Sequence, residues 1–354
     1  MSTRSTGGLP GAVAPEVGGR DPSLDNMRLL AAFTVVLTHV AAILGMQRNE
    51  FGSTDWWVAS GFHFSSRWCV PVWVMLSGAL LLGSSKVESL REFYARRASR
   101  VVLPLLVWSF VYSIWTFFIA HLKGTPLHIE EQILRCLNGN SYYHLWYLYM
   151  VAFLYLFTPF FRMIVRQASS RHLLFFIVVG FIFQEANLVY DTITGVKPNL
   201  FINGFLVFVP YYFLGYLLRR HLLRLKMSAI FIFLFSVSVA GFLGWSYFSS
   251  HGGKLSNLFY SYVSLPVIGI SISVFLLCDR LKKPLFGPRT SSFAQATLGI
   301  YLIHAIALDV IGRLLFGLKL SAILLIPLAT IAVFLVSGIS TMILQRFKSL
   351  RWMV

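Results

Sequence analysis

Residues 25–39 read DNMRLLAAFTVVLTH, an almost wholly apolar run with Asp25 and Arg28 at one end and His39 at the other. An α-helix advances about 100° per residue. From Arg28 to His39 it completes three turns plus about 20°, so both side chains share a face, about 16 Å apart along the axis. That rise is half the roughly 30 Å hydrocarbon thickness of a bilayer. Asp25 lies one turn before Arg28 and is placed to pair with it. Where such a helix sits is decided by the rest of the chain.

Of 354 residues, 57% are hydrophobic and 12% charged, and the mean hydropathy is +0.72. Soluble domains carry about 25% charged residues. A membrane span needs about 20 apolar residues, and ten runs supply them: 28–46, 66–84, 101–121, 142–161, 172–190, 201–218, 227–249, 259–277, 293–312 and 320–344. They leave no room for a soluble domain. The expectation is an all-α polytopic membrane protein of about ten helices, because a bilayer core demands internally satisfied backbones. Residues 1–22, rich in Gly and Pro, are expected to form a disordered cytoplasmic tail and not a signal peptide. The transmembrane domain is then 23–345, with 346–354 a second cytoplasmic tail.

Charge sets the expected orientation. With both termini inside, the inner segments carry 22 of the 30 Lys and Arg residues and the outer segments 8, the positive-inside asymmetry. The net charge of +17 is therefore the fringe of a membrane protein and does not call for nucleic acid. Cys69, Cys136 and Cys278 show no metal spacing and read as free thiols. Cys69 and Cys136 both fall near the outer side, where a disulfide is the alternative. P-loop, GxGxxG and GxSxG patterns are absent. Gly78, Gly83 and Gly215 read as helix-packing positions.

Ionisable groups inside a bilayer cost at least about 2.5–3.5 kcal/mol for Asp, Lys or Arg at its centre, so they form the short list of functional residues. His39 and His304 lie near mid-membrane and His144 at the outer end of span four. Among the acids only Glu185 and Asp309 lie within a span. In TLGIYLIH (297–304), Thr297, Tyr301 and His304 share one helix face, and His304 has the depth of His39. FYARRASRVVLP (93–104) places Arg96, Arg97 and Arg100 before span three, where several guanidiniums can grip phosphates. His144, Trp146 and Tyr147 form either an outer aromatic belt or a sugar-sized acceptor site. Glu185, Asn187 and Asn203 are further outer-end candidates. Each feature has a plain structural alternative: Arg28 reaching to the interface, a topogenic arginine loop, a His–Tyr pair between helices.

Five motifs in order carry a resemblance: Arg28…His39, SRWCVPVWVMLSGALLLG (66–83), FYARRASRVVLP, YYHLWYLYMVAFLYLFTP (142–159) and TLGIYLIH. Together they resemble the acyltransferase-3 family of integral membrane acyltransferases, over about residues 23–345. HLWYL, LGIYLIH and INGF…YYFLGYLL are most similar to the branch that O-acetylates enterobacterial common antigen. The chain departs from the family pattern at Ala79, where an aromatic residue is usual.

The resemblance implies transfer of an acyl group, usually acetyl, from cytoplasmic acyl-CoA to a hydroxyl of a surface glycan or glycolipid, in the bacterial cytoplasmic (inner) membrane. It implies that His39 is essential, that Arg28 is its partner, and that Arg96 and Arg100 lie in the CoA-contacting loop, with Arg97 beside them. No metal is implied. The residues fit this chemistry. Guanidiniums at the inner surface suit the phosphates of CoA, whose pantetheine arm would bring the thioester toward His39. A neutral imidazole there can take a proton from a hydroxyl or carry the acyl group itself. Ser77, Tyr301 and His304 are candidates for oxyanion contacts. His144, Trp146, Glu185, Asn203, Tyr301 and His304 are candidates for the acceptor site. The rival reading is a non-enzymatic transporter or flippase of a lipid-linked glycan, which has no use for the arginine loop.

Overall fold

The structure is a computed structural model that describes residues 21–84, 86, 88–194, 206–220, 234, 235, 238, 241, 244, 261–315, 318 and 320–354. The described residues form helices and turns, without strands. Six helical stretches among them are long and apolar enough to cross a bilayer: Pro22–Met46, Thr54–Leu81, Leu90–Lys123, Trp146–Gln167, Thr297–Leu314 and Ala322–Arg346. The chain is an all-α polytopic membrane protein. The other expected spans fall on α8 (Ser170–Thr194), α9 (Val209–Arg219) and α10 (Leu265–Arg280). Span 227–249, Asn203 and residues 1–20 lie outside the described residues, apart from five positions within that span.

Helix α1 (Pro22–Val40) opens where sequence dictates. Pro22 supplies a preset φ at the first turn, and the Asp21 carboxylate caps it by accepting from the Ser23 amide at 2.9 Å. The helix continues as a π-helical segment, Ala41–Met46. Its neighbours are α3 (Cys69–Leu81), α10, α12 (Thr297–Leu314) and α13 (Ala322–Arg346), so α1 runs through the centre of the bundle. At the Asp21 end, Asn26 donates to the carbonyls of Leu281 and Lys283 and accepts from the Leu285 amide. Arg219 bridges Asp21 and Asp279 there. Burial pushes the Asp21 carboxyl up, but the Ser23 hydrogen bonds and Arg219 outweigh it and hold the group below its ordinary value.

Packing is tightest between α3 and α9. A Cβ on Gly78 would collide with the Tyr212 carbonyl, and one on Gly215 with the Met75 carbonyl. Backbone meets backbone here, as small residues allow in membranes. Helix α5 (Leu103–Lys123) shows the opposite face of the same solvent logic. Leu106, Phe110, Ile114 and Phe118, one turn apart, are 50–68% exposed, a stripe suited to lipid. Residues after α13 fold back: Trp108 on α5 donates to the Met353 carbonyl at 2.9 Å. The three cysteines are free.

Candidate functional site

The face of α1 that carries Arg28 leads to a cavity of about 230 Å³. Arg28 lines it and keeps the Asp25 pairing at 2.7 Å. Helix α3 contributes Trp73 and Ser77. Arg97 comes from α4 (Leu90–Arg97), Tyr147 and Tyr155 from α7 (Trp146–Gln167), and Thr297 and Tyr301 from α12. Two guanidiniums and several hydroxyls thus share a mostly apolar pocket, the composition of a site for a long ligand with an anionic end.

The three arginines of the loop motif part company. Arg97 is half-buried and turns into the cavity, with Phe93 and Tyr155 against its guanidinium at 5.4 and 5.5 Å. Its Nε is buried without a hydrogen-bond partner among the described residues. Arg96 instead pairs with Glu88, which also takes Arg162 at 3.1 Å. Arg100 is exposed, in a second π-helical segment, Ala98–Val102, between α4 and α5. Such bulges recur at functional sites, and this one separates Arg100 from the face that Arg97 presents.

Deep in the protein the cavity meets an aromatic wall. The rings of Trp73, Tyr147 and Tyr301 touch one another, with centroids 5.4–5.6 Å apart. His39 is not among the lining residues. It stands beside Tyr301's neighbour His304, the two imidazoles stacked at 5.2 Å and 28°. His144 meets His304 edge-on at 4.9 Å and Tyr301 at 5.2 Å. His144 and His304 are fully enclosed, at 1% and 0% exposure, whereas His39 is mostly buried and has the ring of Tyr143 at 4.9 Å. Thr38 fixes this part of α1 by donating to Ser66, which in turn donates to the His63 carbonyl.

The hydrogen bonds restrict what these groups can do. The Tyr301 hydroxyl donates to the His144 carbonyl. His304 Nδ1 faces the Tyr301 carbonyl, which only accepts, so Nδ1 carries the proton and Nε2 holds a lone pair. Tyr301 and His304 therefore have no hydrogen left for an oxyanion in this arrangement. Ser77, which lines the cavity 3.5 Å from the Tyr155 hydroxyl, keeps that capacity.

Sequence thus brings Arg28, Arg97, His39, His144, Tyr301 and His304 into one region. Trp146 sits in a neighbouring aromatic group with Phe208, Tyr262 and the guanidinium of Arg67. Glu185 lies on α8, with one buried carboxylate oxygen lacking a hydrogen-bond partner among the described residues. Sequence reasoning passed over Trp73, Tyr143 and Tyr155. The signal for Tyr155 was there: with Tyr147 it lies two turns apart on one face of α7, beside the face that Arg97 reaches.

No curated protein and no solved structure shows a significant match to the chain. The family model Acyl_transf_3, an acyltransferase domain, matches residues 21–342. That span covers the arginine cavity, the aromatic wall and the three histidines, and it sets aside the non-enzymatic transporter. The match reaches the family and not the common-antigen branch. The chain belongs to the acyltransferase-3 family and is an integral membrane acyltransferase.

Proposed function

We propose that the protein moves an acyl group, acetyl by preference, from cytoplasmic acyl-CoA to a hydroxyl of a cell-surface glycan or lipid-linked sugar. We place it in the bacterial inner membrane with both termini cytoplasmic, as the distribution of Lys and Arg favours. The observation that carries this reading is the cavity with Arg28 and Arg97 in its lining and its deep end closed by rings that abut the His39 cluster. At about 230 Å³ it is smaller than the roughly 300–1,000 Å³ of ordinary ligand sites. It suits a thin arm rather than a whole nucleotide, whose phosphates would be left to Arg28, Arg97 and the exposed Arg100. Arg96, spent on Glu88, has the weakest claim to the donor.

The acceptor would approach from the other side, where the mostly buried His39 lies against Tyr143, which is 36% exposed. Donor and acceptor then meet at His39 from opposite faces of the membrane. In this arrangement the Trp73–Tyr147–Tyr301 wall keeps the thioester from water until the rings part. The Ser77 hydroxyl is the candidate donor to the oxyanion.

The test compares surface glycans and lipid-linked sugars by mass spectrometry from cells with and without the gene. A mass increase of one acetyl group for each hydroxyl hydrogen replaced is expected. Identical spectra, with purified protein that fails to bind acetyl-CoA, would remove the donor and acceptor assignments.

A further inference from the structure

In the histidine cluster His304 Nε2 has no hydrogen-bond partner among the described residues, and His144 has at most the Leu302 carbonyl for its N–H, so its other ring nitrogen is also unspent. Their residues are all but fully enclosed. Such atoms are costly to leave unsatisfied in a closed interior, so their presence side by side needs an explanation in chemistry. The His304 lone pair is the most sharply defined of them. Its tautomer is fixed by the Tyr301 carbonyl, so Nε2 can only accept, and its ring lies against His39.

Resting on the acyl-CoA reading above, we propose that His304 is the base for the acceptor hydroxyl, which frees His39 to carry the acyl group. In the first step a His39 ring nitrogen attacks the thioester carbonyl carbon. The N–C bond forms, the C–S bond breaks, and its electron pair leaves with sulfur as the CoA thiolate. In the second step the acceptor oxygen attacks the same carbon while its proton passes to His304 Nε2. The C–N bond breaks and its pair returns to His39. The proton on His304 is then lost and balances the one the thiolate takes up, so free CoA and the ester are the products. His144, whose ring meets that of His304 edge-on at 4.9 Å, supplies an acceptor nitrogen beside the protonated His304. One imidazole cannot be acyl carrier and proton acceptor in the same step, and this cluster holds a second with its lone pair unspent.

The experiment uses purified full-length protein, acetyl-CoA as donor, and two nucleophiles: glycerol, a hydroxyl that needs a base, and hydroxylamine, which does not. In rapid-quench assays the wild type should release one equivalent of CoA per protein without acceptor and leave acetyl on His39. His304→Gln should keep this first turnover and form hydroxamate within about twofold of wild type, while ester formation falls about 100-fold, as loss of a general base predicts. His304→Asn repeats the test should Gln fold poorly, with acetyl-CoA binding as the check. Near wild-type ester formation in either variant would overturn the proposal, as would an equal loss with both nucleophiles. Wild-type protein that binds and uses acetyl-CoA yet never carries acetyl on His39 overturns it too, while leaving the acyl-CoA reading intact. Protein that binds no acetyl-CoA defeats the reading beneath it.

Discussion

Arg28 of α1 and Arg97 of α4 line one cavity, whereas Arg96, the neighbour of Arg97 in the chain, is held by Glu88 away from it. Adjacent helical residues point about 100° apart, so one arginine of the pair is available for a ligand and the other for structure.

This division predicts unequal effects in the arginine motif. Arg97→Ala should weaken acetyl-CoA binding about 10–100-fold, the worth of a charge-assisted contact. Lys at that position should restore only part of it, since an ammonium lacks the planar fork. Arg100→Ala should cost less, in proportion to its exposure and more at low salt. Arg96→Ala should leave affinity nearly intact but lower the melting temperature in detergent, because Glu88 stays buried with Arg162 alone. Isothermal titration and thermal melts on the three variants separate these outcomes.

The α3–α9 crossing predicts that its glycines tolerate nothing larger. Gly78→Ala and Gly215→Ala each drive a methyl into a backbone carbonyl, which no rotamer change relieves. Each should destabilise the protein by about 1–3 kcal/mol or more. Gly338→Ala is the control, since its nearest neighbour would be 3.8 Å away, ordinary contact. In a helix interior that change should be neutral or stabilising. Melting curves of the three variants in one detergent provide the comparison.

Acid stability tests the network at the Asp21 end. The Asp21 carboxyl is held below its ordinary value of 3.8, so its contribution is present above that pH and lost as pH falls through the folded value. Asn caps a helix about as well as Asp but cannot pair with Arg219. Asp21→Asn should therefore lower the melting temperature modestly at pH 7, with the difference from wild type shrinking as pH falls below the ordinary carboxylate value of 3.8. A constant difference across that range would assign the residue to capping alone.

Several of these relationships were legible in the sequence because they follow from period or composition. Ten apolar runs mark a polytopic protein, and each of the six described helical stretches long enough to cross a bilayer overlaps one of them, whereas Thr54–Ser65, Leu90–Arg97 and Ile129–Leu137 are helices in stretches that the runs left as loops. Arg28 and His39 are in phase on one helix, and helical spacing alone puts Thr297, Tyr301 and His304 on one face. Equal depth suggested that His39 and His304 could line one cavity; the structure stacks their rings instead, outside the cavity lining. Side-chain pairing between distant segments was not legible. No spacing rule ties Arg96 to Glu88, or the Tyr301 hydroxyl to the His144 carbonyl. That last bond helps draw His144 from an expected aromatic belt into the cluster, and with the His304–Tyr301 contact it withdraws two of the three oxyanion candidates. Nor did composition reveal that rings would close the cavity before His39.

The central claim is that His39 performs the transfer while the arginine cavity holds the donor, so the most direct measurement is acetyl transfer by His39→Gln, read beside its affinity for acetyl-CoA. Glutamine keeps hydrogen bonding and helix propensity but neither accepts a proton at neutral pH nor carries an acyl group. The account predicts acetyl-CoA affinity within about threefold of wild type and transfer reduced at least about 100-fold, since the group that receives the acyl chain or its proton is gone. A folded His39→Gln protein that transfers acetyl at near wild-type rate would contradict it.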